Sequence, residues 1–497
     1  MRPLSELLWG KNAKFTYLFV AAVLLLFTSL GSHEIWTQEH RWADIVSAMF
    51  YSNDFLHPSL EGNDYYDKPL LSYWLIAGFS ALFGHLSTWT LRLPSALAGL
   101  LAIGSIYRLG CNLKDKQLGL LAGWLLLTTF YFVFWARTSS ADMLNLAGTL
   151  FAVSWYFEKR NDPRFLNYVI FFLILAVTAL CKGLVGPVVA VLAILPDLIL
   201  QNRWKKYLRF SVLFAIVPAA IIYSLPFWAS TQFGLNTHNE NGLYLVYREN
   251  ILRYFHPFDH KDPIYTYFIY LPIYLLPWTF FFIPALFYLK SCWKMMSVNS
   301  KWIVWATLLL FLFFTLSGSR RSYYVLPIVP FAILMTADWI LAGTRRNSLA
   351  GRVTGIFFIL LFFNFAILQP LYYSQRGVNR FVTALKKEAV LIRPWSEWQF
   401  VMLDPESKVR FYLELPPTVK NYNIIGKRNQ QTQASLLQAW PILKTRSNNI
   451  IFITRQQYEP LLRPLLKNYE IVEIPPSAME KILKINRASA PVAFIPK

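Results

Sequence analysis

Cysteine is almost missing from this chain: Cys111, Cys181 and Cys292 are the three among 497 residues. They lie far apart, form no C-x-x-C or Cys/His spacing and fall in or beside hydrophobic runs, which excludes a disulfide-stapled fold and a structural zinc site. Charge is scarce too, at 15% of residues against 55% hydrophobic and 17% aromatic. That balance excludes an ordinary soluble domain and places the chain among membrane proteins. Acids are the rarer sign, 27 against 48 Lys and Arg, for a formal net charge of +21. In a soluble protein such an excess points to nucleic acid. Here the basic residues gather in short gaps between apolar runs, so topology accounts for them and no nucleic-acid partner is expected.

What is present is a series of long apolar runs. Phe15 to Leu30 follows Arg2, Lys11 and Lys14; it is long for a signal-peptide core and no A-x-A site follows, so an uncleaved anchor is expected. Further spans are expected near 91–109, 117–136, 141–157, 165–181, 184–200, 210–228, 265–289, 302–317, 323–342 and 353–372, about eleven in all. Alternate gaps carry Arg108, Lys114 and Lys116; Lys159, Arg160 and Arg164; Arg203, Lys205, Lys206 and Arg209; Lys290, Lys294 and Lys301; and Arg345, Arg346 and Arg352. The positive-inside rule makes these cytoplasmic, with the N-terminus. The remaining gaps face out. Lys182-Gly183, between two runs, reads as a hairpin tip or a bend in one helix. The segment 70–84 is too short to span and reads as a surface-lying helix, with Tyr73 and Trp74 at headgroup level.

Beyond Tyr373 the pattern changes. Strand-like runs at Trp398 to Leu403, Val409 to Leu415, Ile450 to Thr454 and Glu470 to Ile474 alternate with polar, helix-like stretches such as Gln430 to Trp440. The expected fold is therefore mainly α, a polytopic membrane domain over 1–372 with a small soluble α/β domain over 375–497. An odd number of spans puts that domain outside. Its basic surplus suits anionic lipid headgroups or glycans, and equally a plain solvated surface.

Polar residues converge in the outward gaps. The loop Trp36 to Pro69 holds Glu39, Asp44 and Asp67 as candidate bases or metal ligands, and Arg41 and Lys68 as candidate anion holders; a solvated loop explains any one of them as well. Asp142, in ARTSSADM, sits at the expected start of a helix, where the helix dipole alone favours an acid. Tyr247 to Tyr267 carries Glu249, Arg253, His256, Asp259, His260 and Lys261, without a strict metal-ligand spacing. Arg320 and Arg321 in SGSRRSYY break the positive-inside trend, and guanidinium forks fit phosphate oxygens.

Glu39-His40-Arg41-Trp42-Ala43, Tyr66-Asp67-Lys68-Pro69 with Tyr73-Trp74, Arg92-Leu93-Pro94, Asp142-Met143, Lys182-Gly183, and Ser317-Gly318-Ser319-Arg320 with Tyr324-Val325-Leu326-Pro327 occur in that order. In this order the motifs resemble those of integral-membrane glycosyltransferases of the GT-C fold, the group joining lipid A aminoarabinose transferase (ArnT) with protein O-mannosyltransferases. The resemblance covers 1–372 by motif and the C-terminal domain by architecture. It implies an extracytoplasmic cavity for a polyprenyl-phosphate sugar in a bacterial inner membrane, with Glu39 and Asp142 as catalytic carboxylates. Lys68 would hold the lipid phosphate, with Arg41, Arg320, Arg321 and Tyr324 as further donor-binding candidates. It also implies a divalent metal (Zn, Mg or Mn) at Asp67 and His260, with His256 as the alternative histidine, and no nucleotide cofactor. The family often has Asp-Glu before the variable residue and arginine; this chain has Gln38-Glu39, so Glu39 must act from the next position.

The implied reaction is transfer of a sugar, with inversion, from undecaprenyl or another polyprenyl phosphate to lipid A, lipopolysaccharide or another glycan. The alternatives are transfer to Ser or Thr of a protein and, in a different class, a flippase for lipid-linked sugars. Transporters often carry internal repeats and mid-span breaks. This chain shows no clear repeat, and its notable charges lie at helix ends.

Overall fold

The computed structural model describes residues 3–36, 38–60, 63–65, 68–207, 209–232, 251–255, 261–422, 424, 448–477, 480–481 and 486–497. The chain divides into two compact units, Met1–Leu30 with Tyr66–Ile367 and Gly31–Tyr65 with Leu368–Lys497.

The first unit is helical. Among the described residues, Thr88–Leu113, Phe165–Lys182, Phe210–Thr231, Val298–Leu316, Ser322–Leu341 and the run Thr344–Ile392, which continues into the second unit, are long and apolar enough to cross a bilayer, and two bent pairs raise the count from 6 to 8. The pair Lys116–Leu127 and Phe130–Ala136 bends by 72° where a straight span over 117–136 is expected. Thr128 and Thr129 sit at the break, where their hydroxyls donate back to Trp124 O (2.7 Å) and Leu125 O (2.8 Å) and take up carbonyls at the end of the first segment. The other pair, Thr266–Tyr274 and Thr279–Met295, bends by 119° around Pro277, which has no N–H for the ladder. Phe15–Phe27 and Val185–Leu200 are apolar but shorter.

Helix starts are written in short side chains. Ser87 and Thr90 form a reciprocal capping box, Asp115 accepts from Leu118 N–H (2.9 Å), and Ser297 accepts from Ser300 N–H (3.0 Å); each satisfies a donor the helix leaves open. Two fully buried arginines close the end of Phe15–Phe27. Arg137 donates to Leu25 O, Leu26 O and Thr28 O at 2.8, 3.0 and 2.9 Å, and Arg92 to Leu30 O at 3.0 Å. Arg137 also stacks on Phe365, 4.7 Å from the ring centre.

The helix Leu71–Leu82 does not leave Tyr73 at a surface. Tyr73 is 1% exposed, because this helix packs against Thr88–Leu113 and Phe165–Lys182 and Ser72 Oγ donates to Cys181 O (2.7 Å).

The second unit contains a five-stranded sheet in the order Asn421–Tyr422, Gln399–Leu403, Ile450–Arg455, Pro491–Pro496, Tyr469–Val472. The first three strands run parallel; Pro491–Pro496 is antiparallel to both its neighbours. Val378–Ile392 covers the sheet with Val378, Phe381, Val382, Leu385 and Ala389 buried, the i, i+3, i+4 stripe of an amphipathic helix. Val409 to Leu415, expected as a strand, is instead the short helix Lys408–Tyr412. Its apolar residues Val409 and Leu413 are four apart and both buried, a helical spacing, and Arg410 is spent on the carbonyls of Pro416, Pro417 and Val419. The stretch 430–440 lies outside the described residues. From the first loop, the helix Glu39–Ser52 and a small hairpin of Ser59–Leu60 with Asn63–Asp64 belong to this unit.

Candidate active site

Asp142 stands in the first turn of Ala141–Lys159. Ser140 caps that helix, accepting from Asp142 N–H (3.0 Å), and its hydroxyl donates to Asp142 Oδ2 (3.0 Å). The carboxylate is thus oriented by its own helix cap. Its other oxygen, Oδ1, is paired with Lys182 Nζ. Lys182 is the last residue of Phe165–Lys182, and Gly183 ends that helix with φ at 104°, a left-handed value that favours glycine.

Small residues make the pairing possible. On Ala141–Lys159, Gly148 lies so close to Thr178 that a Cβ would collide with its side chain, and Gly186 lies equally close to Asn145 and Thr178. Thr149 Oγ1 donates to Gly186 O (3.3 Å) across the same seam. Glycine and threonine at helix crossings let backbones approach inside a membrane, and here they bring two helix ends together at Asp142 and Lys182. The pair is partly open, at 13% and 14% side-chain exposure.

Tyr324 completes this cluster. The Lys182 ammonium lies 4.9 Å from the centre of its ring, a cation–π geometry. Tyr324 meets Tyr323 edge-on at 5.0 Å, and Tyr323 packs on Trp135 at 5.1 Å. Arg321 donates to Tyr323 Oη (2.8 Å), while Tyr267 Oη accepts from Arg321 N–H (3.3 Å). Arg320 does something different. Its guanidinium donates to Asp262 O (2.7 Å), Thr315 O (3.3 Å) and Ser317 O, so it closes the end of Val298–Leu316 as Arg137 and Arg92 close theirs.

The candidates therefore separate. Asp142 and Tyr324 come together, with Arg321 joined through Tyr323. Lys68 lies just before Leu71–Leu82 in the same unit. Glu39 and Arg41 belong to the second unit. Glu39 is fully buried and accepts from Trp36 N–H at Oε2 (2.7 Å); Arg41 is exposed, 3.5 Å from Tyr65 Oη. Asp67, Glu249, His256, Asp259 and His260 lie outside the described residues, and among the described ones no group of three or more His, Cys, Asp and Glu is placed to hold a metal. Lys182 is the residue that sequence reasoning did not assign to chemistry. Its signal was present as a lysine in a long apolar stretch, which requires an acidic partner or a route to water.

Val185–Leu200, the next helix, carries another acid near its end. Asp197 accepts from Tyr156 Oη, Arg160 and Gln201, each at 2.7 Å. Nearby helix ends are tied by Lys114 to Asp338 (2.8 Å) and by Ser300 Oγ to Asp338 (2.7 Å).

This arrangement can exchange partners. An anion arriving at Lys182 takes over part of the ammonium's charge and releases Asp142 for a proton or a hydrogen bond.

The dolichyl-phosphate-mannose-protein mannosyltransferase family matches residues 67–229. The undecaprenyl phosphate-alpha-4-amino-4-deoxy-L-arabinose arabinosyl transferase of Pseudomonas aeruginosa strain UCBPP-PA14 is 27% identical over 372 residues, 70% of this chain and 63% of that protein. A Pseudomonas fluorescens Pf-5 enzyme of the same name is 28% identical over 72% of this chain and 66% of its own length. The match thus spans just under two-thirds of these relatives. In structure, ArnT from Cupriavidus metallidurans bound to undecaprenyl phosphate superposes with a TM-score of 0.69 at 16% identity, covering 97% of each chain. The Archaeoglobus fulgidus oligosaccharyltransferase gives 0.54 at 12% identity over 91% of this chain and 70% of that one. The resemblance drawn from the motifs therefore holds in sequence and in fold: the chain is similar to ArnT and has its GT-C architecture, that of a multi-pass membrane protein.

Proposed function

We propose that this chain, ArnT-like in sequence and fold, is a membrane glycosyltransferase that moves a sugar from undecaprenyl or another polyprenyl phosphate to an acceptor on the outer face of a bacterial inner membrane. Lipid A, or another glycan of lipopolysaccharide, is the acceptor class we favour. The observation that carries this reading is the Asp142–Lys182 pair with its ammonium over the Tyr324 ring, a carboxylate and a cation held at one end of the bundle. The reading includes the finer topology expected from sequence, about eleven spans with a cytoplasmic N-terminus and the C-terminal α/β domain in the periplasm.

The leaving group is already good, so the protein has mainly to position the acceptor and stabilise charge. The acceptor oxygen attacks the anomeric carbon from the face opposite the phosphate, the bond from that carbon to the phosphate oxygen breaks, and the configuration inverts. The departing polyprenyl phosphate takes the electron pair. Lys182, Lys68 and Arg321, aided by Arg41, meet its growing negative charge. A hydroxyl acceptor gives its proton to Asp142 or Glu39; a phosphate acceptor needs orientation only. A divalent ion at Asp67 and His260 would organise the loops between helices. No step is routed through it, and unchanged turnover with both residues replaced removes it from the reading.

The test is transfer in vesicles holding purified protein, undecaprenyl phosphate carrying radiolabelled 4-amino-4-deoxy-L-arabinose, and lipid A. Labelled lipid A that depends on Asp142 supports the reading. Label that crosses the bilayer without a new glycosidic bond identifies a flippase. The mannosyltransferase match over 67–229 favours one second reading, transfer to Ser or Thr, and a polyprenyl-phosphate mannose donor with a peptide acceptor tests it in the same vesicles.

A further inference from the structure

The helix Val378–Ile392 begins after Gly377, which has no side chain to cap it. An uncapped helix start leaves N–H groups open and favours negative charge. The cap comes from far away in sequence: Glu34 Oε1 accepts from Val378 N–H. The other oxygen, Oε2, receives Lys408 Nζ at 2.7 Å, and Lys408 also reaches Glu406 at 2.8 Å. Burial works to lower the Lys408 ammonium, but the two carboxylates outweigh it and hold it up at about 12. One carboxylate therefore ties together residues 34, 378 and 408.

The next two residues are fixed as well. Ile35 is buried and its N–H donates to Tyr412 Oη (3.0 Å), in the same short helix as Lys408. Trp36 N–H donates to Glu39 Oε2 (2.7 Å), and Glu39 N–H to Trp36 O (2.8 Å). Within this one unit, Glu34, Ile35 and Trp36 thus form an unbroken line from Val378 and Lys408 to the Glu39 carboxylate, and the helix Lys408–Tyr412 packs against Glu39–Ser52.

We propose that this line is a latch, and that Glu34, Lys408 and Tyr412 are positioning residues that fix where Glu39 presents its carboxylate. The chain after Leu368 then serves to place a residue of the first loop, inside one and the same unit. The mechanical half of the proposal stands on these contacts alone; the catalytic half rests on the glycosyl-transfer reading.

The test uses the full-length protein in vesicles, as wild type, Lys408→Met, Lys408→Arg and Glu34→Gln. Backbone hydrogen exchange is read at residues 35–41 and, as an internal control for folding, at Gln399–Leu403 and Ile450–Arg455. Glu34→Gln is the second variant because it keeps an acceptor for Val378 N–H. In Lys408→Met and Glu34→Gln, exchange at 35–41 is expected to rise roughly 10-fold or more while the strands stay protected, as local opening requires. Lys408→Arg restores protection. With the undecaprenyl-phosphate sugar and lipid A, kcat falls by about 10-fold with KM for the donor unchanged, the pattern of a misplaced catalytic group. Unchanged exchange at 35–41 overturns the latch. Raised exchange with unchanged kcat overturns its role at Glu39. If the wild type transfers no sugar, the functional reading fails and the exchange result alone decides the latch.

Discussion

Asp142 and Asp197 mark opposite ends of one part of the bundle, and they use their charge in opposite ways. Asp197 is wholly buried and accepts from Tyr156, Arg160 and Gln201, so its oxygens are committed. Asp142 is partly open and shares its charge with one lysine, and that lysine also faces an aromatic ring. A buried, fully bonded carboxylate holds helices together and costs much to disturb. A partly open pair with an exchangeable partner suits chemistry. The same residue type at a helix end is thus fully committed in one place and keeps an exchangeable partner in the other.

The largest effect that tests this contrast is on turnover. Asp142→Asn is expected to lower transfer by roughly 10²- to 10⁴-fold, the range for loss of a general base, with the amount of folded protein unchanged. Glu39→Gln should do the same; near-normal turnover in both, measured in membranes, removes the carboxylate assignment. Asp197→Asn should break the comparison from the other side. It leaves Arg160 without its partner and is expected to cost about 3–5 kcal/mol in stability, read as a lower unfolding midpoint in detergent, while the surviving enzyme keeps its KM and kcat. If Asp197→Asn lowered kcat without lowering stability, the contrast would collapse.

A smaller contrast lies between adjacent arginines. Arg320→Met should lower the unfolding midpoint, because three carbonyls lose their donor, and leave donor affinity unchanged. Arg321→Met should raise KM for the donor by roughly 10-fold, as loss of a charge-assisted contact does, and leave stability alone. Tyr324→Phe should be the mildest change that still reads out: the ring face stays under Lys182, and Tyr324→Leu should cost about 0.5–2 kcal/mol more in donor binding. For the latch, pH supplies a prediction of no change. A lysine held above its ordinary 10.5 contributes stability that is present below that value and is lost as pH rises through about 12. Exchange at Trp36, corrected for its intrinsic rate, should therefore be flat from pH 7 to 10.

The helical membrane unit was legible because long apolar runs have few other uses. Two of those runs hide bends, since a short break, with threonines at one and a proline at the other, leaves hydropathy unchanged while the backbone turns. The Asp142 site was half legible. The acid and Tyr324 stood in recognisable motifs, but Lys182 read as a hairpin tip because its partner lies 40 residues away in sequence. Arg320 and Arg321 looked equivalent as neighbours and are not, because one guanidinium is turned back onto carbonyls. Val409 to Leu415 read as a strand through its apolar content, whereas the four-residue spacing of Val409 and Leu413 is that of the helix it forms.

The Glu34 contact has a meaning for synthesis as well. The residues that fasten it come 344 and 374 positions later in the chain, after every long apolar helix of the first unit. A ribosome therefore finishes the bundle before the first loop can be locked, and chains cut short before Val378 lack both fasteners. Such long-range closure is slow to form. In the order of synthesis the fastening therefore follows the bundle, so that a product cut short before Val378 carries the Glu39 carboxylate unfastened.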